Sequence, residues 1–232
     1  MEEAAAEIRA KHLFPYVASV IIGPPLAPGY PAINTGSGVM IKLGAQYLIA
    51  TANHVLESYE KSHAINPSVT FQVGHLNVDM RDRSIWRRKA DDLAILTISA
   101  EEANRVGSKI HEPPTWPPRV PLVNEYVTLC GLPIMARSRP DSNSVIFGPM
   151  VASLVVLSSF ENHFTCRIER EHLESILNRP LPLTGVDYGG LSGGPVFLER
   201  KYDFPLAGIV KEVNVELEYF IIQCFGSCPT QF

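Results

Sequence analysis

The chain has 232 residues, enough for one large domain or two small lobes that share a cleft. Hydrophobic residues make up 46% and charged residues 19%, an ordinary globular balance that excludes a disordered chain. Net charge is −4 with no basic stripe, which argues against nucleic acid as a partner, and no apolar run reaches the roughly 18 residues of a membrane helix.

The chain starts MEEAAAEIRAKHLFPYVASVIIG, where Glu2, Glu3, Glu7, Arg9 and Lys11 interrupt what an export signal would keep apolar. A cytoplasmic protein is the expectation. Tyr16 to Ile22 reads as a strand. The Pro/Gly-rich GPPLAPGYPAINTG after it cannot hold a helix or an interior strand. Ser37 to Leu43 and Gln46 to Thr51 flank Gly44-Ala45 as a hairpin. Val55 to Lys61 reads as a short helix, and Val69 to Val73, Val78 to Arg81 and Leu93 to Ile98 as strands. The basic run from Arg81 to Lys89, flanked by Asp91 and Asp92, reads as a solvated loop.

Ala100 to Val106 has helical propensity. The proline-rich HEPPTWPPRVP then disfavours helix and central strand alike and reads as a linker. Strands resume at Glu125 to Cys130, Ser144 to Phe147, Val151 to Leu157 and His163 to Ile168. Glu171 to Leu177 is a helix candidate. Gly194 to Leu198, Pro205 to Val210 and Glu218 to Cys224 complete the strands. Many short strands at regular spacing point to an all-β antiparallel architecture. The expected division is a lobe over 13–110, a linker over 111–124 and a second lobe over 125–232. The four cysteines, Cys130, Cys166, Cys224 and Cys228, do not form a zinc pattern; Cys224 and Cys228 could pair only across a very small loop, and reduced buried thiols are expected.

Three segments carry chemistry. LIATANHVLE places His54 directly after a strand, DDLAIL places Asp92 at the start of one, and YGGLSGGPVF sets Ser192 between glycines. A serine hydroxyl is a poor nucleophile until a neighbouring base takes its proton, which His54 can do. An acid behind the imidazole fixes its tautomer and stabilises its charged form. Glycines around Ser192 let the backbone turn sharply and aim N–H groups at a developing oxyanion. Asp91 competes with Asp92 for the acid's role, and motif register favours Asp92.

Taken together, TANH, DLAIL, GLSGGP and PLAGIV resemble the motifs of the trypsin/chymotrypsin-like serine protease superfamily, in the order His, Asp, Ser, over nearly the whole chain from Val17 to Phe225. The resemblance implies two six-stranded antiparallel β-barrels with the active site in the cleft between them. It implies a serine endopeptidase that works through an acyl-enzyme, with catalytic His54, Asp92 and Ser192 and an oxyanion hole from the amides of Gly190 and Ser192. It implies a polypeptide substrate and no cofactor or metal. Lys211, Glu212 and Val213 would form the cleft edge that pairs with substrate backbone. The specificity-pocket position falls on Val186 or, with a one-residue loop difference, on Asp187. Val186 would favour an apolar side chain and Asp187 a basic one.

The chain departs from secreted relatives in three ways. No cysteine lies near His54, Leu191 stands where zymogen-type relatives carry an Asp, and Asn53 precedes the histidine. These departures suggest an intracellular, HtrA-like or other prokaryotic member whose residues before Tyr16 are dispensable for activity. The alternative is a protease-fold binding or regulatory module, inactive or latent until an activating protein partner engages it.

Overall fold

The computed structural model describes residues 2–24, 34–81, 83–134, 137–141, 144–167, 173–174, 188–201, 203–214, 219–226 and 228–229. The first half carries helices α1 (Glu2–Leu13), α2 (Asn53–Ile65) and α3 (Ala100–Val106). Its strands are β1 (Val17–Gly23), β2 (Asn34–Leu43), β3 (Gln46–Ala52), β4 (Thr70–Val73), β5 (Leu76–Val78), β6 (Ile85–Arg88), β7 (Leu93–Ile98) and β8 (Ile110–His111). These pair in the order β5-β4-β1-β2-β3-β7-β6, a curled sheet, with β8 parallel to β2. Gly44, at φ 57°, closes the β2–β3 hairpin in the left-handed conformation that such turns need.

The second half carries β9 (Tyr126–Gly131), β10 (Arg137–Asp141), β11 (Ser144–Phe147), β12 (Met150–Ser159), β13 (His163–Arg167), β14 (Leu173–Glu174), β15 (Pro195–Leu198), β16 (Leu206–Asn214) and β17 (Tyr219–Gln223). Here β9, β12, β13, β17, β16 and β15 close into a ring, because β13 pairs with β12 as well as β17. A closed barrel beside a curled sheet matches the double-barrel expectation.

Side-chain alternation explains the apolar runs at 39–41 in β2, 48–50 in β3 and 93–96 in β7. Met40, Ile49 and Leu96 face the core of the first sheet with Val20, Phe71 and Leu76. Their neighbours Val39, Ile41, Leu48, Ala50 and Ile95 face the opposite way, against Cys130, Leu132, Phe197, Ile209 and Phe225 of the second half. Successive strand residues point to opposite faces, so a sheet buried on both sides needs apolar residues at every position. The barrel has its own core, including Leu129, Val156, Phe164, Phe220 and Ile222.

Several local expectations change. The strand expected at Val78 to Arg81 lies earlier, at Leu76–Val78, because the Gly74-His75 turn brings Val73 opposite Leu76. The basic run contains an edge strand, Ile85–Arg88, and its charges are spent locally. Arg83 pairs with Glu102, Arg87 with Glu60, Arg88 with Asp91 and Lys89 with Glu57. Leu173–Glu174, inside the expected helix Glu171 to Leu177, is a strand on β12, with Ala152 opposite Leu173. The other residues of that stretch lie outside the described residues. All four cysteines are buried free thiols, and burial pushes those of Cys224 and Cys228 up to about 12. Among the described residues no group of three or more His, Cys, Asp or Glu could hold a metal, and no helix is long and apolar enough to cross a membrane.

The N-terminal segment is packed rather than free. Ala10 and Leu13 are buried in the core shared by the two halves. Arg9 lies 3.9 Å from Glu199, and the His12 ring meets Phe204 with centroids 5.8 Å apart. Leu13→Ala is therefore expected to lower the unfolding free energy by about 2–5 kcal/mol, and a chain starting at Phe14 to be at least as unstable. Urea titration checks this; an unchanged midpoint would mean that the helix docks without stabilising.

His111 sits in the same junction. Its Nε2 accepts a hydrogen bond from the Leu206 N–H at 3.3 Å, and its ring meets Tyr16 and Phe197. Burial lowers its pKa from 6.5 to about 4, since the charged form is poorly solvated there. The unfolded chain then binds a proton that the folded chain refuses, so this contribution to stability is complete above pH 6.5 and lost as pH falls toward 4. His111→Gln should flatten the fall in urea midpoint across that interval. An identical slope in both proteins would assign the acid sensitivity elsewhere.

Candidate active site

His54 is the second residue of α2, and Asp92 lies in the turn before β7. Because β3 and β7 pair through Ala52 and Leu93, the residues just beyond them meet. Asn53 N–H donates to the Asp92 carbonyl at 3.0 Å, and His54 N–H donates to Asp92 Oδ1 at 2.8 Å. Asp92 thus caps the helix from outside: it takes N–H groups that no turn of α2 can use, and it places a carboxylate at the positive end of the helix dipole. It adopts φ 55°, a left-handed conformation that Asp tolerates better than most residues.

The other carboxylate oxygen, Oδ2, lies 2.6 Å from His54 Nδ1. An ionised carboxylate only accepts, so Nδ1 carries the hydrogen and Nε2 keeps its lone pair. The His54 side chain is 51% exposed and that of Asp92 only 16%, so the imidazole is open to solvent while the carboxylate stays behind it. Asp91 points elsewhere and pairs with Arg88.

Ser192 lies in the turn before β15. Its carbonyl accepts the Ser37 N–H at 2.8 Å. A Cβ added at Gly36 would stand 2.9 Å from the Val55 side chain and 3.4 Å from the Ser192 carbonyl, so only a glycine separates Ser192 from the residue after His54. The loop depends on two other glycines. Gly190 (φ 91°) and Gly193 (φ 85°) are left-handed, and added Cβ atoms would meet the Leu132 carbonyl at 2.6 Å and the Ser37 carbonyl at 2.1 Å.

The peptide planes of this loop are individually fixed. The Gly189 carbonyl accepts from Ile134 N–H at 2.6 Å, and the Leu191 carbonyl from Gly194 N–H at 2.8 Å. In a trans peptide the N–H points opposite to the carbonyl, so the N–H groups of Gly190 and Ser192 point away from both anchors. Among the described residues neither N–H meets a protein acceptor. Two such donors in one loop can stabilise an oxyanion. Leu191 is fully buried among the barrel core residues, so an apolar anchor stands where zymogen-type relatives use an acid.

Lys211, Glu212 and Val213 continue β16 past the point where β15 ends. Pro195 is opposite Ile209, and Gly193 and Gly194 bond to Val210, while beyond that, among the described residues, β16 pairs only with β17. Among the described residues no strand covers their other edge, where one could add. Lys211 sits at a bulge between Val210 and Glu212, and its Nζ reaches the Ala90 carbonyl, in the turn that carries Asp92, at 3.4 Å. Val186 and Asp187 lie outside the described residues. The sequence reading missed Ser37 and Thr51, which the fold brings against this loop. Their only signal is a polar residue inside an otherwise apolar strand.

A model of the trypsin-like peptidase domain matches residues 36–202. No curated protein matches the sequence. Among solved structures, human heparin binding protein is similar with TM-score 0.56 and 15% identity, over 92% of this chain and 87% of that one. A scabies mite inactivated protease paralogue gives 0.52 and 16%, over 93% and 91%. The tobacco vein mottling virus protease gives 0.51 and 9%, over 93% and 79%. At such identities these likenesses concern the fold alone, but the family match spans most of the chain and runs from Gly36 through all three motifs. The chain belongs to the trypsin-like peptidase domain family.

Proposed function

We propose that this protein is a serine endopeptidase that hydrolyses peptide bonds through an acyl-enzyme. The observation that carries the reading is the pair of hydrogen bonds from His54 to the two oxygens of Asp92, 2.8 and 2.6 Å long, which leave Nε2 free as a base. In this reading His54 removes the Ser192 proton as Oγ attacks the substrate carbonyl. The carbonyl oxygen becomes the oxyanion and is held by the N–H groups of Gly190 and Ser192. His54 then protonates the leaving amine, and water, activated the same way, releases the acyl group and restores Ser192. The open edge of Lys211 to Val213 would hold the substrate backbone as an added strand. A binding module without turnover would share the fold, as the inactivated mite paralogue does, but would not need the oriented imidazole. Labelling by a fluorophosphonate probe tests the choice. Modification at Ser192 supports the enzyme; an unlabelled, folded wild-type protein would support the binding module or its latent form.

A further inference from the structure

We propose that Ser37 is the positioning residue that holds the oxyanion loop in its working conformation, an inference that rests on the peptidase reading of the site. Ser37 is completely buried in β2 of the first sheet, yet its bonds run to the second half. Its Oγ donates to the Gly190 carbonyl at 2.7 Å and accepts from the Leu132 N–H at 3.1 Å. Its N–H donates to the Ser192 carbonyl at 2.8 Å, and its own carbonyl accepts from Thr51 Oγ1 at 2.8 Å. Thr51 lies on β3, just ahead of His54.

One side chain and its backbone thereby link the strand that leads to the base, the nucleophile and the oxyanion loop. From Gly189 to Ser192 every carbonyl has a donor, and Ser37 supplies two of the four. Gly190 is the weak point, because a left-handed glycine turns its flanking peptides at little steric cost. Ile134 fixes the plane before it, which carries the Gly190 N–H. The plane after it is held at its carbonyl by Ser37 Oγ and at its N–H by the Tyr188 carbonyl, at 3.2 Å; Ser37 makes the shorter of these two bonds, and its loss would free the glycine's following peptide. The hydroxyl also ties Leu132 to the loop, and Leu132 lies on the same short segment as Ile134. Relatives that order this loop with a charged N-terminus need the acid that Leu191 replaces; here a neutral, fully bonded hydroxyl does the ordering.

The test compares wild type with Ser37→Ala, Ser37→Cys and Ser37→Thr. Ser37→Cys fills the same space with a weak donor and covers the case in which alanine does not fold. The expected result is a kcat lowered roughly 10- to 100-fold in Ser37→Ala, less than loss of an oxyanion donor itself, with KM changed less than about twofold and most activity recovered in Ser37→Thr. Amide exchange across residues 189–193 should also quicken in Ser37→Ala by more than its drop in melting temperature accounts for. Unchanged kcat, or a loss that only follows the fraction of unfolded molecules, overturns the proposal. The exchange measurement needs no turnover. An inert wild type with no phosphonate label sinks the peptidase reading, whereas unaltered exchange at 189–193 in the variants sinks the role of Ser37.

Discussion

Ser192→Ala should lower kcat roughly a millionfold on any peptide that the wild type cleaves, because nucleophile and base act as one unit and the loss of either removes the acyl-enzyme route. His54→Ala should cost about as much, and combining the two should add little. The two substitutions differ in what they leave behind. Ser192→Ala removes one hydroxyl from a half-buried turn whose bonds to Ser37, through the Ser192 and Gly190 carbonyls, remain. His54→Ala empties the position against Asp92 and frees a carboxylate oxygen, but the His54 N–H still caps onto Oδ1. Both proteins should keep the wild-type melting temperature within a few degrees and lose fluorophosphonate labelling. Steady-state turnover with active-site titration checks this. Retention of wild-type turnover in either variant would rule out the triad.

Asp92→Asn should lower kcat about ten-thousandfold near pH 7 while leaving the fold intact. The amide can still accept the His54 N–H through Oδ1, so the helix cap survives. Its NH2 group then faces His54 Nδ1, and two donors cannot share one hydrogen bond. The imidazole must turn to the other tautomer, with its hydrogen on Nε2, where it can no longer take a proton from Ser192. Asp91→Asn breaks a half-buried ion pair with Arg88 that does not involve His54 and should change kcat less than about tenfold. Kinetics of the two variants on one substrate settle the comparison. Equal losses, or a larger loss for Asp91→Asn, would assign the acid to the other residue.

The site was legible where chemistry sits in short segments. His54, Asp92 and Ser192 each stand in a local pattern of glycines or β-branched residues, and strand pairing of β3 with β7 brings the first two together as the motif order implied. What escaped was carried by contacts distant in sequence. Ser37 reads as one more residue of a strand, since its partners Gly190 and Leu132 lie in the other half of the chain. The edge strand at Ile85–Arg88 was hidden by its own charges, which read as a loop until Glu60, Asp91 and Glu102 were seen to neutralise them. Helical propensity at Glu171 to Leu177 yielded at Leu173–Glu174 to backbone bonding with β12, because tertiary pairing outweighs a weak local preference. Likewise, the residues before Tyr16 were read without an element, although they form α1, which Ala10 and Leu13 carry into the shared core.

The bond between Ser37 Oγ and the Gly190 carbonyl spans 153 positions of sequence, and this sets the order of events during biosynthesis. A ribosome adding about 5–20 residues per second delivers His54 and Asp92 several seconds before Ser192. Through that interval the nascent chain carries His54 and Asp92 but not Ser192. The oxyanion loop, when it emerges, closes onto a strand that has been folded and waiting. A chain built this way separates the two halves of its candidate site in time.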